Sequence, residues 1–201
     1  MLKKIIFFSL LACAAALAFA FNKFFFAESA LAEPAELRQD QEEQVRTTAK
    51  DIAAAIREKY KINDAFLLIS KESFTLLYVG DTQIQEFSCA IGKNQGQKTV
   101  AGDMKTPIGV FCIDEIIDAS SWTHDFGDGK GEIQGAYGPW FISLDTNNLS
   151  KGQWGGIGIH GTHDPGSIGK RASEGCIRLK NDDVAALKKL VRVGMKVVIE
   201  E

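Results

Sequence analysis

From residue 65 onward the sequence predicts a mostly-β domain, sandwich- or barrel-like, with one late helix and an N-terminal helical segment ahead of it. Three observations point there. Short runs of β-branched and aromatic residues recur as far as the C-terminus. Stretches rich in Gly, Asp and Asn divide them. Helical spacing is confined to the segment before residue 63 and to the residues after Asn181. Many strands pairing over long sequence distances bury their apolar faces against one another in a sandwich or barrel. A chain of 201 residues has room for one such domain plus a leader.

Residues 1–32 read as an export segment. Lys3 and Lys4 precede an uncharged apolar run from Ile5 to Phe21, and a second apolar patch follows Lys23. Ala30 and Ala32, just before Glu33 and Pro34, offer a small-residue cleavage site. The alternative is an uncleaved membrane anchor, although the run is just short of the roughly 20 residues a spanning helix needs. Either way the charge asymmetry puts the rest of the chain outside the cytoplasm, in the periplasm or cell envelope. Cys13 reads as a small apolar residue of the leader. Residues 33–63 read as a helical tether. Val45, Ala49, Ile52 and Ile56 share one face and Glu42, Arg46, Lys50 and Arg57 the other, which suits a helix packed on the domain or a stalk.

The domain itself spans 64–201. Residues 65–70 and 74–78, separated by Lys71-Glu72-Ser73, predict a hairpin. Further strands are expected over 84–91, 108–113, 140–144 and 157–160. Asn181-Asp182-Asp183 can cap a helix with Val184, Leu187, Leu190 and Val191 on its apolar stripe. Gly194 ends it, and 196–200 is a last strand.

The chemistry concentrates in Ile157-Gly158-Ile159-His160-Gly161-Thr162 and Ser173-Glu174-Gly175-Cys176-Ile177-Arg178-Leu179. A thiol becomes a strong nucleophile once an imidazole takes its proton. His160 closes a strand, and Cys176 follows a Gly-containing loop, so the two can converge. Gly175 removes a side chain beside the reacting atom and lets backbone N–H groups approach an oxyanion. Arg178, two residues on, falls on the side of Cys176 if the segment is extended. A lone Cys is equally a small buried hydrophobe, so residue types alone leave a Cys–His dyad at even odds.

This pattern resembles the signature of the L,D-transpeptidase catalytic domain family, in which a His-Gly pair precedes a Ser-x-Gly-Cys-(Ile/Val)-Arg block. Gly102-Asp103 and Thr106-Pro107-Ile108-Gly109-Val110-Phe111 resemble that family's Thr-Pro-x-Gly strand. The resemblance covers roughly 65–201. It implies that Cys176 attacks a carbonyl of a peptidoglycan stem peptide and forms a thioester, with His160 as base oriented by the Gly161 carbonyl. It implies further that backbone N–H groups near Gly175 and Cys176 hold the oxyanion, and that Ser173 and Arg178 shape the site. Glu174 departs from the pattern, which often has His there, and sets a carboxylate on the acceptor side.

Other features carry less. His163, His160 and Cys176 are too few for a zinc site, so neither metal nor cofactor is expected. Asp125–Glu132 lacks EF-hand spacing and reads as a surface loop over the cleft. Tyr137, Trp140 and Trp154 line a groove or fill the core. Cys89 and Cys112 read as two separate buried thiols, with a bridge between them the alternative in an oxidising compartment. A net charge of −3 without a basic stripe gives no reason to expect nucleic acid. The implied partners are stem peptides, plus the membrane if the leader stays attached. Two alternatives stand beside a transpeptidase: a carboxypeptidase or amidase using the same thiol, and an inactive wall-binding module. The intact Cys176, His160, Gly175 and Arg178 argue against the last.

Overall fold

The computed structural model describes Thr47 and residues 50–201, apart from Thr82 and Asp128. The leader over 1–32, its cleavage site, Cys13 and most of the tether lie outside the described residues. Among the described residues no helix is long and apolar enough to cross a membrane.

Eight strands form one curled sheet. In chain order they are β1 (Phe66–Ser70), β2 (Thr75–Val79), β3 (Ile84–Ser88), β5 (Gly109–Asp118), β8 (Trp140–Asp145), β9 (Gly158–His160), β11 (Ile177–Arg178) and β12 (Lys196–Glu200). Across the sheet they run β11-β9-β8-β5-β12-β1-β2-β3. Two small ribbons stand apart: β4 (Ile91–Gly92) with β10 (Arg171–Ser173), and β6 (Thr123–Asp125) with β7 (Glu132–Gln134). Residues 50–60 are helical, the end of the N-terminal helix, and the helices of the domain are α1 (Asn147–Ser150) and α2 (Asn181–Lys188).

Alternation explains the layering. In β5, Phe111 and Ile113 are buried while Cys112 and Asp114 face solvent, so every second residue feeds the core. Leu67 and Ile69 of β1 join Val197 and Ile199 of the parallel strand β12 in that core, with Ile142, Ile159, Ile177, Val184 and Leu187. Phe66, Leu68 and Val198 fall on the opposite face and are buried as well. The end of the N-terminal helix lies there. Ala53 and Ile56 are buried, the Tyr60 ring is 6.1 Å from Phe66, and the Tyr60 hydroxyl bonds the Glu200 carboxylate. Residues 53–60 are therefore packed on the domain.

Several expectations need correction. The run 84–91 divides, because Cys89 N–H donates to the Phe74 carbonyl and Ala90 pairs with Arg178. The strand expected over 108–113 continues to Asp118 through a bulge between Ile113 and Glu115. Asp125–Glu132 is not a plain loop. Its ends are the strands of the β6–β7 hairpin, with Thr123 opposite Gln134. Asn181 does not cap α2: Lys180 is the N-cap, and Asn181 Oδ1 accepts from Thr162 N–H at 2.9 Å. Cys89 sits in the core and Cys112 in solvent, both as free thiols.

Candidate active site

Cys176 stands in the turn between β10 and β11, and the backbone of that turn is held from both sides. Thr106 Oγ1 donates to the Gly175 carbonyl at 2.8 Å and accepts from Gly92 N–H at 2.8 Å. Ser173 Oγ donates to the Cys176 carbonyl at 2.5 Å and accepts from Gly175 N–H at 3.1 Å. Gly175 has φ +140°, and a Cβ there would come within 2.9 Å of the Lys105 carbonyl, so only glycine fits. Gly175 N–H is committed to Ser173 Oγ in this arrangement. Glycine here allows close approach, and its amide braces the loop.

Asp103 supports the same region from the 93–108 loop. It accepts from Lys98 Nζ at 2.8 Å and from Thr99, Val100 and Lys105 N–H. Burial works against its charge, but Lys98 and these amides hold its carboxyl well below the usual carboxylate range.

His160 ends β9 and is 2% exposed. Its Nδ1 lies 2.6 Å from the Gly161 carbonyl. A carbonyl only accepts, so Nδ1 carries the proton and Nε2 is the basic nitrogen. The ring stacks on Phe141 at 5.5 Å and meets Tyr137 edge-on at 4.9 Å. A Cβ on Gly158 would enter the Phe141 ring, and one on Gly161 would strike Asn181, so both glycines make room for this packing. Burial, with Arg178 and His124 nearby, pushes His160 down to about 3 despite the Gly161 bond. Burial also raises the Cys176 thiol, partly offset by a backbone hydrogen bond and by Arg178. The Sγ–H donates to the Gly156 carbonyl at 3.3 Å. The resting pair is thus a neutral thiol and a neutral imidazole.

Both line a cavity of about 40 Å³ with His124, Phe126, Tyr137, Ser173, Glu174 and Arg178. Arg178 pairs with His160 across β11 and β9, and its guanidinium lies 5.1 Å from the Phe126 ring. Its Nε is buried without a partner, a donor left for an acceptor in the cavity. A larger cavity, about 230 Å³, lies between Lys61–Ala65 and Arg192–Lys196. Neither Cys176 nor His160 lines it.

The model of the L,D-transpeptidase catalytic domain matches residues 64–199. The chain belongs to the L,D-transpeptidase catalytic domain family. Bacillus subtilis YqjB, which carries that activity as a provisional name, is 31% identical over 140 residues, 69% of this chain and 72% of the relative. Bacillus licheniformis YkuD, provisionally named likewise, is 42% identical over 123 residues, 61% of this chain and 57% of the relative. L,D-transpeptidase 3 from Mycobacterium tuberculosis has the same fold, with TM-score 0.51 and 14% identity over 68% of this chain and 61% of its own. An L,D-transpeptidase from Mycobacterium smegmatis gives TM-score 0.50 and 19% identity over 69% and 59%. The chain therefore spans about three fifths of these solved structures.

Of the six residues expected in the site, Ser173, Cys176, Arg178 and His160 line this cavity, while Gly161 accepts from His160 and Gly175 N–H donates to Ser173. Tyr137 lines the cavity, whereas Trp154 is in the core and Trp140 packs against it. His163 is an exposed rim residue, 5.1 Å from Phe126. Sequence reasoning missed His124 and Phe126. Their signal was the two-residue spacing of Trp122, His124 and Phe126, a strand pattern hidden by the Gly- and Asp-rich turn after it. Among the described residues no cluster of metal-ligating side chains occurs.

Proposed function

We propose that this domain is a cysteine-dependent L,D-transpeptidase acting on peptidoglycan stem peptides. The observation that carries the proposal is the locked imidazole: Nδ1–H held on Gly161 leaves Nε2 as the one basic site, in the cavity that also contains Cys176. His160 Nε2 takes the Sγ proton as sulfur attacks the stem-peptide carbonyl. Cys176 N–H, adjacent to the braced Gly175, faces the oxyanion. The tetrahedral intermediate collapses to a thioester, and the proton on His160 passes to the departing amino group of the terminal D-amino acid. An amine acceptor then takes the acyl group from sulfur. Arg178 Nε, buried and unpartnered, receives a carboxylate or carbonyl oxygen of the donor. Neutral resting groups suit this sequence, because charge separates only when substrate has displaced water from the cleft.

The site works outside the cytoplasm, delivered by the segment over 1–32, with 33–63 joining it to the catalytic domain. The test is mass spectrometry of the protein and its products after incubation with a tetrapeptide donor and a diamino-acid acceptor. An acyl adduct on Cys176, absent in Cys176→Ala, with crosslinked dimer as main product, is expected. Trimmed tripeptide alone at every acceptor concentration would make it a hydrolase with the same nucleophile and base.

A further inference from the structure

Three polar groups of the cavity, His124 and Tyr137 from the hairpin side and Glu174 from the turn that carries Cys176, have no task in the acyl transfer just described. Tyr137 Oη lies 3.1 Å from His124 Nδ1, and His124 Nε2 lies 3.1 Å from Glu174 Oε2. A carboxylate only accepts, so Nε2 carries the proton and Nδ1 is left to accept from the Tyr137 hydroxyl. The chain has one direction: phenol, imidazole, carboxylate. Phe126 holds the imidazole edge-on at 4.4 Å. Burial, then Cys176 and Glu174, raise Tyr137, so it stays a phenol that can pass a proton on.

An amine acceptor reaches the site as an ammonium. It must lose one proton before it attacks and a second as the tetrahedral intermediate collapses. His160 has a single basic nitrogen, since Nδ1 is held by Gly161, and needs it for the second proton. The first proton requires another base.

We propose that Tyr137, His124 and Glu174 form a relay that deprotonates the acceptor ammonium before it attacks the Cys176 thioester. The inference rests on the transferase reading above. The ammonium proton passes to Tyr137 Oη while the Tyr137 hydroxyl proton moves to His124 Nδ1. The imidazolium so formed keeps its Nε2–H on Glu174. The neutral amine adds to the thioester carbonyl, the C–N bond forms and the C–S bond breaks. The second proton travels through His160 Nε2 to the departing sulfur, which regains its thiol. The relay resets by returning its extra proton through Tyr137 to the released D-amino acid, whose amino group needs one, or to water. Tyr137 is the group that meets the acceptor, and His124 and Glu174 act through it.

The experiment uses the full chain, a tetrapeptide donor and two acceptors. One is a diamino acid, protonated at neutral pH; the other is hydroxylamine, which is unprotonated there. In His124→Gln the ratio of transfer to the diamino acid over transfer to hydroxylamine should fall by about 100-fold, the scale of a lost general base. Tyr137→Phe should lower the same ratio. A packing defect would slow both acceptors alike, so an unchanged ratio overturns the relay. Should His124→Gln form no thioester, Glu174→Gln reads the same ratio, and an unchanged value there overturns it too. Wild-type protein that forms the thioester but transfers to neither amine would overturn the transferase reading, and this inference with it. Transfer in the wild type with an unchanged ratio in the variants overturns the relay alone.

Discussion

The cavity has two walls built in different ways. The wall carrying Cys176 and His160 is braced by backbone. Thr106 bonds the Gly175 carbonyl, Ala90 and Arg178 exchange main-chain bonds, and Leu179 N–H reaches the His160 carbonyl at 2.8 Å. Gly158, Gly161 and Gly175 leave no space for a side chain. The opposite wall is a ribbon of two three-residue strands outside the main sheet. It meets the Cys176 wall through side chains: His124 on Glu174, Phe126 on Arg178 and His163, and Tyr137 on His160. Placement of Cys176 is thus tied to the stability of the domain, whereas the facing wall can change its chemistry without loosening the fold.

The sharpest break of this contrast is His160→Ala. It should lower turnover roughly 10²–10⁴-fold, the value of general-base assistance, while thermal unfolding shows a folded domain. Near wild-type turnover would remove His160 from the mechanism.

Acid should next expose the buried imidazole. His160 is pushed from 6.5 to about 3 by burial in the folded state. Between these values the unfolded chain binds a proton that the folded chain refuses, so stability falls as pH drops through that window and is retained above it. The contribution is on the order of a few kcal/mol. Urea unfolding of wild type and His160→Gln at pH 7 and pH 4 measures it. The Gln variant should lose less stability between the two, and an equal loss would contradict the assignment.

Thr106→Val comes third. It strips the Gly175 carbonyl and Gly92 N–H of their shared partner and should cost about 1–3 kcal/mol in stability. Activity should fall along with it, because the loop that aims Cys176 is released. Phe126→Ala on the facing wall should be mildest, at about 1 kcal/mol or less. It should alter KM more than kcat, as judged by steady-state assays. A larger unfolding effect at Phe126 than at Thr106 would reverse the contrast between the walls.

Legibility in the sequence followed the range of each interaction. Strand β12 and its alternation were readable because residue period and the Gly194 stop are local signals. The convergence of Cys176 and His160 on one cavity was readable because their residue types, spacing and family resemblance coincide. Thr106 was visible only as part of a motif, since its bond to Gly175 spans 69 residues. The helical segment before residue 63 showed its apolar face but not whether the sheet would cover it. His124 escaped because its partners, Tyr137 and Glu174, come from a hairpin base and a distant loop.

Strand β12 comes after every residue of the site, yet it sits between β5 and β1 in the middle of the sheet. Without it the domain would be two loose leaves, β1–β3 on one side and β5, β8, β9 and β11 on the other. During synthesis the thiol is made before the strand that joins those leaves. Assembly of the cavity therefore waits for β12, and a polypeptide cut before Lys196 should carry every side chain of the site and none of its competence.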